Sequence, residues 1–439
     1  MIRFFYNLLF PIALLFFLPG ILIKMVRRGN YRHKFGQRFG FYDRALRDRL
    51  REGDRTWIHA VSIGEVMIAL KLAEKLRELE PALRVVLTTT TTTGFAIATK
   101  DSPEWIDVLY NPLDFWPVVR RAFDVIRPQL VILVEAEVWP NLAAEAHRRS
   151  LPLALVNARL SPRSERRFRK FQFAVAPTFR LLDLVCVQEP EDVARWQAIG
   201  VERQCIEVVG SIKFDPSLAP PDPEIPREVL ARWGIDPTRP IFFAGSTHSG
   251  EERIIAEIFL SLRTEFPNLF LIIAPRHFER TPEIQRILES LDLQVALRTD
   301  DAITPSRMTM PDCFILNAMG ELRHWYSAGT VVFVGKTLTA HGGQNPVEPV
   351  AAGRPVIFGP NMENFATLAR SLVQGEGAVQ AANEVELRES AARLLRDEPA
   401  RRHLVENARN VLRRHDGATL RTADLVTRLR SGAHTDRVV

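Results

Sequence analysis

Two series of short apolar segments, divided by a proline-rich break, constrain this chain more than any other feature of its sequence. The first series is WIHAV (57–61), RVVLTT (84–89), DVLY (107–110), LVILVEAEV (130–138), LPLALVN (151–157), LVCVQ (184–188) and IEVVGSI (206–212), mostly separated by helix-like sequence. Continuous apolar strands alternating with helices predict a parallel sheet covered on both faces. The break, DPSLAPPDPEIP from Asp215 to Pro226, holds five prolines. It suits neither a helix interior nor a central strand, so it reads as a linker. A second series follows: IFFAGS (241–246), LFLIIAP (269–275), QVALR (294–298), CFILN (313–317), TVVFVG (330–335) and PVIFG (355–359), with charged helical sequence from about Glu384 to Ser431. The expected fold is α/β: two Rossmann-like lobes, residues 27–214 and 228–439, joined by a linker at 215–227. A length of 439 residues suits two such cores. Ligands are expected in a cleft between the lobes, at the carboxyl ends of the strands.

Ahead of the first lobe, Phe4 to Val26 reads FFYNLLFPIALLFFLPGILIKMV, with Lys24 its one charge. That is about 20 residues, enough to cross a bilayer as a helix, so 1–26 is expected to be a membrane anchor. A cleaved signal peptide and a segment lying in one leaflet are the alternatives; no small-residue cleavage site follows the apolar run. Arg3 alone precedes the segment, whereas Arg27, Arg28, Arg32, Lys34 and Arg38 follow it, which places the lobes on the cytoplasmic side. The charge is concentrated there. Lys24 to Arg55 carries eleven Lys/Arg against four Asp/Glu, while the whole chain is only +6. A basic block directly after an apolar segment points to anionic headgroups of an inner leaflet rather than to nucleic acid. Cys186, Cys205 and Cys313 form no metal-ligand spacing, and an odd count in a cytoplasmic setting argues against a disulfide framework.

Several stretches at strand ends carry polar residues suited to chemistry. In SIGE (62–65), Gly64 allows a tight turn and Glu65 falls in the first turn of a helix. It can act as a general base or simply complement the helix dipole. The run Thr88–Thr93 before Gly94 offers hydroxyls to a ligand or to a helix cap. In VEAEVWPN (134–141), Glu135 and Glu137 end an apolar strand and, at period two, should point to opposite faces. NARLSPRSERRFRKF (157–171) has six basic residues and one acidic, either a solvated face or a surface for a phosphorylated, membrane-resident acceptor. Lys213 in GSIKFD (210–215) borders the linker, where a cation could steady developing negative charge. In the second lobe, the turn in AGSTHSGEE (244–252) offers amides to an anion. APRH (274–277) puts Arg276 and His277 at a strand end, and HGGQNPVEP (341–349) puts Glu348 in a helix's first turn, able to accept from ribose hydroxyls.

SIGE, VEAEVWPN, NARLSPRS, GSIKFD, APRH, NAMGEL and GGQNPVEP occur in the order seen in Kdo (3-deoxy-D-manno-octulosonic acid) transferases, glycosyltransferase family 30, which the chain resembles over nearly its whole length. The resemblance implies a GT-B fold with an acceptor lobe followed by a nucleotide-sugar lobe. It implies an inverting transfer of Kdo from CMP-Kdo to a lipid A precursor such as lipid IVA, in lipopolysaccharide synthesis at the bacterial inner membrane. Carried over by residue, Glu65 is the base, and Glu137 and Lys213 stabilise the transition state. Pro275, Arg276, Met319, Gly320, Glu321, Asn345, Pro346, Val347 and Glu348 hold CMP. Arg163, Arg166, Arg167 and Arg169 form an acceptor or membrane patch. Gln344 stands where many relatives have His, and Ile63 where Val is common. No D-x-D triplet occurs, so no metal–diphosphate clamp and no cofactor are expected. The alternatives are a GT-B transferase with another nucleotide sugar and a non-enzymatic GT-B scaffold.

Overall fold

A computed structural model describes residues 2–27, 34–215, 221–236, 238–300, 310–318 and 320–432. The chain divides into two compact units, Met1–Asp215 with Gly417–Val439, and Pro216–Asp416.

The first unit is built on seven parallel strands: β1 Arg55–His59, β2 Arg84–Thr89, β3 Ile106–Tyr110, β4 Pro128–Val134, β5 Leu153–Ala158, β6 Leu184–Val187 and β7 Ile206–Val208. They lie in the order β3-β2-β1-β4-β5-β6-β7. Every residue of β1, β5 and β6 is buried, and β6 (LVCV) and most of β5 read accordingly as apolar runs, whereas β1 buries Arg55, Thr56 and His59 as well. Alternate side chains feed different cores. Trp57, Val131, Leu133 and Leu155 join one layer, and Ile58, Leu130, Ile132, Val134 and Val156 the other.

The second unit repeats the plan with β8 Ile241–Thr247, β9 Phe270–Pro275, β10 Val295–Leu297, β11 Cys313–Ile315, β12 Val331–Val334, β13 Val356–Phe358 and β14 Val379–Gln380. Their order is β10-β11-β9-β8-β12-β13-β14, and all pairs are parallel. The same alternation holds, with Phe242 and Ala244 in one layer and Phe243 in the other.

Three boundaries differ from the sequence reading. The last helix, Ala418–Arg430, belongs to the first unit, not the second. Its Ala423, Val426 and Leu429 bury with Val66, Ala69 and Ala73 of the helix Ile63–Leu79. Asp215 fixes the return, its carboxylate accepting from Gly417 N (3.0 Å) and Thr419 N (2.7 Å). Within the expected linker, residues 216–220 lie outside the described residues, and a helix already begins at Glu224. Pro226 sits in its first turn, where a missing N–H costs nothing.

The third concerns the amino terminus. Ile2–Arg27 is helical, yet among the described residues no helix is long and apolar enough to cross a membrane. The expected spanning anchor is therefore not supported. The start of this helix is instead tied to the first unit. Asn7 exchanges amide hydrogen bonds with Asn141 (2.8 and 2.9 Å) and accepts from Trp116 N (3.1 Å). Phe10 stacks on Phe115 at 5.8 Å. Part of the basic block is also consumed by the fold. Arg38 donates to Thr90 O (2.7 Å) and lies 4.2 Å from the Tyr110 ring, and Arg49 and Arg55 both pair with Asp107. Arg28 and Arg32 lie outside the described residues.

Candidate active site

In the first unit, the helix Ile63–Leu79 opens with a capping box. Ser62 Oγ accepts from Glu65 N, while the Glu65 carboxylate accepts from Val61 N (2.9 Å) and Ser62 N (3.3 Å). Glu65 is thus held in one place and only 7% exposed. The threonine run serves the same turn. Thr89 and Thr91 hydroxyls donate to Val61 O, Thr91 caps the helix Thr92–Asp101, and Thr88 Oγ1 accepts from Trp57 Nε1. Those hydroxyls are caps and cross-strand ties. They hold the Val61–Glu65 turn against β2.

The strand carrying VEAE ends earlier than its apolar run suggests. β4 stops at Val134, and Glu135 takes a left-handed conformation with φ 63°, its N–H still bonded to Val156 O (3.0 Å). The period-two expectation for Glu135 and Glu137 rests on strand geometry that ends before either residue. A non-glycine residue in that region stores about 1–3 kcal/mol, typically where geometry matters to function. Both carboxylates feel Glu65. Burial first, then Glu65, raise the Glu135 carboxyl above the usual range, and Arg159 and Lys213 pull it back down. Burial, Glu65 and Glu135 together push Glu137 up to about 7. Burial holds the Lys213 ammonium below the ordinary lysine value, and Glu135 opposes this.

Lys213 lies in the one-turn 3-10 helix Ile212–Phe214. Asn157 Oδ1 accepts from Ser211 Oγ (3.2 Å) and Ile212 N (3.0 Å), and Arg421 of the last helix grips Val209 O (2.7 Å). The strand end before Lys213 is thus held by Arg421, and Asp215, two residues after it, by Gly417 N and Thr419 N at the start of the returning helix. Glu65, Glu137 and Lys213, singled out from sequence, form one electrostatic group with Glu135 and Arg159. Arg159 was given no role of its own, although it lies in NARLSPRS, immediately after β5.

The neutral form of Glu137 is favoured in the fold. Its stabilisation is complete below the ordinary glutamate value of 4.5 and is lost as pH rises through about 7. Glu137→Gln should therefore leave the melting temperature unchanged at pH below 4.5. It should raise it well above pH 7 by the equivalent of about 1–3 kcal/mol. An equal effect at both ends of a pH-resolved melting series would remove this account.

In the second unit the nucleotide candidates follow three strands, β11, β9 and β12, which lie side by side with β8 in the sheet. Pro275 ends β9, and the exposed Arg276 donates its N–H to Thr247 O at the end of β8 (3.0 Å). Gly320, with φ 82°, and Glu321 follow β11; Met319 lies outside the described residues. The Glu321 carboxylate is committed to Arg298 (2.9 and 3.1 Å) and Trp325 Nε1 (3.1 Å). Asn345 Oδ1 accepts from Val347 N (3.0 Å) and its amide donates to Glu348 (3.3 Å), which orders the start of the short helix Val347–Ala351.

The turn after β8 has one of its amides, His248 N, already taken by a carboxylate of the chain. This is the fully buried Glu251, accepting from His248 N (2.9 Å), Lys336 N (2.7 Å), Thr337 N (2.9 Å) and Leu338 N (3.0 Å). One carboxylate thereby joins the loops after β8 and β12. Glu251→Gln turns an amide NH2 toward amide donors and should cost on the order of 3 kcal/mol, because buried donors lose their acceptor. Urea unfolding of the variant measures it; a loss under about 1 kcal/mol, the net worth of one ordinary hydrogen bond, would contradict this reading.

The patch Arg163, Arg166, Arg167 and Arg169 lies exposed on the helix Pro162–Lys170, capped by Ser161. Glu165 pairs with Arg169 (3.5 Å) and Arg195 (2.8 Å). Phe171 and Phe173 follow, both exposed. Among the described residues no group of three or more His, Cys, Asp or Glu is arranged to hold a metal ion.

A family model described as 3-deoxy-D-manno-octulosonic-acid transferase (kdotransferase) matches residues 33–216. A 3-deoxy-D-manno-octulosonic acid transferase of Haemophilus influenzae is 32% identical over 428 residues, 97% of this chain and 98% of that one. One of Bordetella pertussis is 34% identical over 376 residues, 84% of this chain and 86% of that one. Among solved structures, Acinetobacter baumannii MurG aligns with a TM-score of 0.52 at 14% identity, covering 86% of this chain and all of that one. The Staphylococcus aureus MnaA–UDP structure aligns at 0.51 and 13% identity, covering 86% and 96%. At these identities the structural likeness is one of fold.

Proposed function

Because the chain belongs to the Kdo transferase family, a glycosyltransferase family of lipopolysaccharide biosynthesis built on the two-unit parallel GT-B plan, we propose that it moves Kdo from CMP-Kdo to a lipid A precursor of the lipid IVA type. The observation that carries the reading is the group Glu65, Glu135, Glu137, Arg159 and Lys213 in the first unit. Glu65 is the base. Its two capping contacts fix the carboxylate's position while leaving lone pairs for an acceptor hydroxyl. Attack by that hydroxyl opposite the leaving CMP inverts the sugar carbon. Lys213, whose charge acts on Glu135, and Glu137 steady the charge that builds as the bond forms.

On the second unit, Pro275, Arg276, the backbone of Gly320 and Glu321, and Asn345–Glu348 hold CMP. Met319 is assigned with them by family pattern. Glu321 spends its carboxylate on Arg298 and Trp325; Glu348, in the first turn of Val347–Ala351, is the carboxylate that the family pattern assigns to ribose. A single leaving phosphate can be met by Arg276 and backbone amides, so we propose a reaction without metal. The first unit works at a membrane surface. Exposed Phe4, Phe5, Leu8, Leu9, Ile12 and Phe16 on the first helix, and the basic helix Pro162–Lys170 with Phe171 and Phe173, suit the interface of an anionic leaflet.

A nucleotide titration separates this from a transferase using another nucleotide sugar. CMP should bind and UDP should compete weakly. Glu348→Gln should weaken CMP by about 10–100-fold, the loss of one or two charged hydrogen bonds. Preferred UDP binding would favour the other donor class, and unchanged CMP affinity would take Glu348 out of the site.

A further inference from the structure

The second unit carries a groove that none of these assignments uses. It has a volume of about 860 Å³ and is lined by the residues just before β8, β12 and β13, namely Pro240, Thr330 and Pro355. The nucleotide candidates follow the opposite ends of neighbouring strands. A seven-residue strand such as β8 puts about 20 Å between the two edges. The far wall is one face of the helix Glu398–Arg413.

Five arginines and two glutamates line the groove. Two of the arginines are structural. Arg401 donates to Leu394 O (2.6 Å) and Leu395 O (2.9 Å), and Arg354 donates to Ser327 O while its buried Nε has no hydrogen-bond partner among the described residues. Arg402 pairs with Glu398 at 3.5 Å. Arg409 and Arg413, one helical turn apart and exposed, have no ion-pair partner among the described residues. Gly353, at φ 71°, makes room for Arg409: a Cβ there would stand 2.5 Å from its Nη2. Cations gathered in a concave surface raise the local potential and draw counter-anions, and guanidinium forks match phosphate oxygens.

We propose that this groove is a second anion site that binds a phosphate group, borne by a free phosphate compound or by a lipid headgroup. It is independent of the nucleotide site, since the two lie at opposite edges of one sheet.

The test uses the full chain with CMP saturating, so that the nucleotide site is filled. Inorganic pyrophosphate is titrated calorimetrically, and retention on phosphatidylglycerol vesicles is compared with phosphatidylcholine vesicles. Arg409→Gln with Arg413→Gln removes two exposed charges that make no side-chain hydrogen bond or ion pair among the described residues; Arg232→Gln with Arg286→Gln makes the same charge change outside the groove. If the source is a free phosphate, pyrophosphate binds and the groove variant binds about tenfold more weakly, with the control unchanged. If the source is a headgroup, vesicle retention falls about tenfold in the groove variant alone. Unchanged behaviour of the groove variant in both arms, or an equal loss in the control, overturns the proposal.

Discussion

Glu65→Gln is expected to lower turnover by about 10²–10⁴, the range for removing a positioned general base. An acceptor hydroxyl is a poor nucleophile near neutrality, and its proton must be taken as the glycosidic bond forms. The glutamine keeps the size of the side chain and one acceptor oxygen. It cannot take the proton, and its NH2 meets one of the two amides that Glu65 now serves, Val61 N or Ser62 N. The variant therefore loses part of a capping box, about 1 kcal/mol of stability. That is too little to unfold a two-unit protein. CMP affinity should hold, because the nucleotide candidates belong to the other unit. Single-turnover transfer, melting and CMP binding separate the roles. Near-parental transfer would leave Glu65 as a helix cap and move the search for the base to Glu135 and Glu137.

Lys213→Met should cost about 10²–10³ in turnover, as for removal of one preorganised charge from a developing anion. Methionine preserves the aliphatic stem between Ile212 and Phe214, both buried. The loss also strips Glu135 of a cation that lowers its proton affinity, so the variant's rate should depend on pH differently from the parent's. Lys213→Arg should recover part of the rate. Equal inactivity of Met and Arg with the pH profile unchanged would mean that Lys213 acts by packing, through the segment that Asn157 and Arg421 hold.

Both predictions rest on residues visible in the sequence, but their surroundings were legible only in part. The strands of both units could be read because β5, β8 and β9 and most of β4 are buried on both faces, and such strands are mostly apolar. β14, two residues long, is too short to leave a pattern. The helix Ala418–Arg430 was legible as a helix but not as part of the first unit. That membership depends on Asp215, some 200 residues away, accepting its first amides. The same limit explains Glu135: an apolar run tells where a strand can be, whereas the left-handed residue that ends it answers to the packing around it. The turn in AGSTHSGEE was read as offering amides to an anion, and the carboxylate of its own Glu251 takes one of them, His248 N, together with three amides of the loop after β12. Sequence spacing locates a carboxylate on its helix and leaves open which distant amides it will meet.

The central claim is the transfer itself. Purified full-length protein, CMP-Kdo and detergent-dispersed lipid IVA, incubated with excess EDTA, are followed by mass spectrometry of the lipid. The account predicts that the acceptor gains mass in whole Kdo residues, with CMP released in equal amount and no dependence on added metal. An acceptor that stays unmodified while the protein binds CMP and remains folded, or that is modified only when metal is restored, would contradict it.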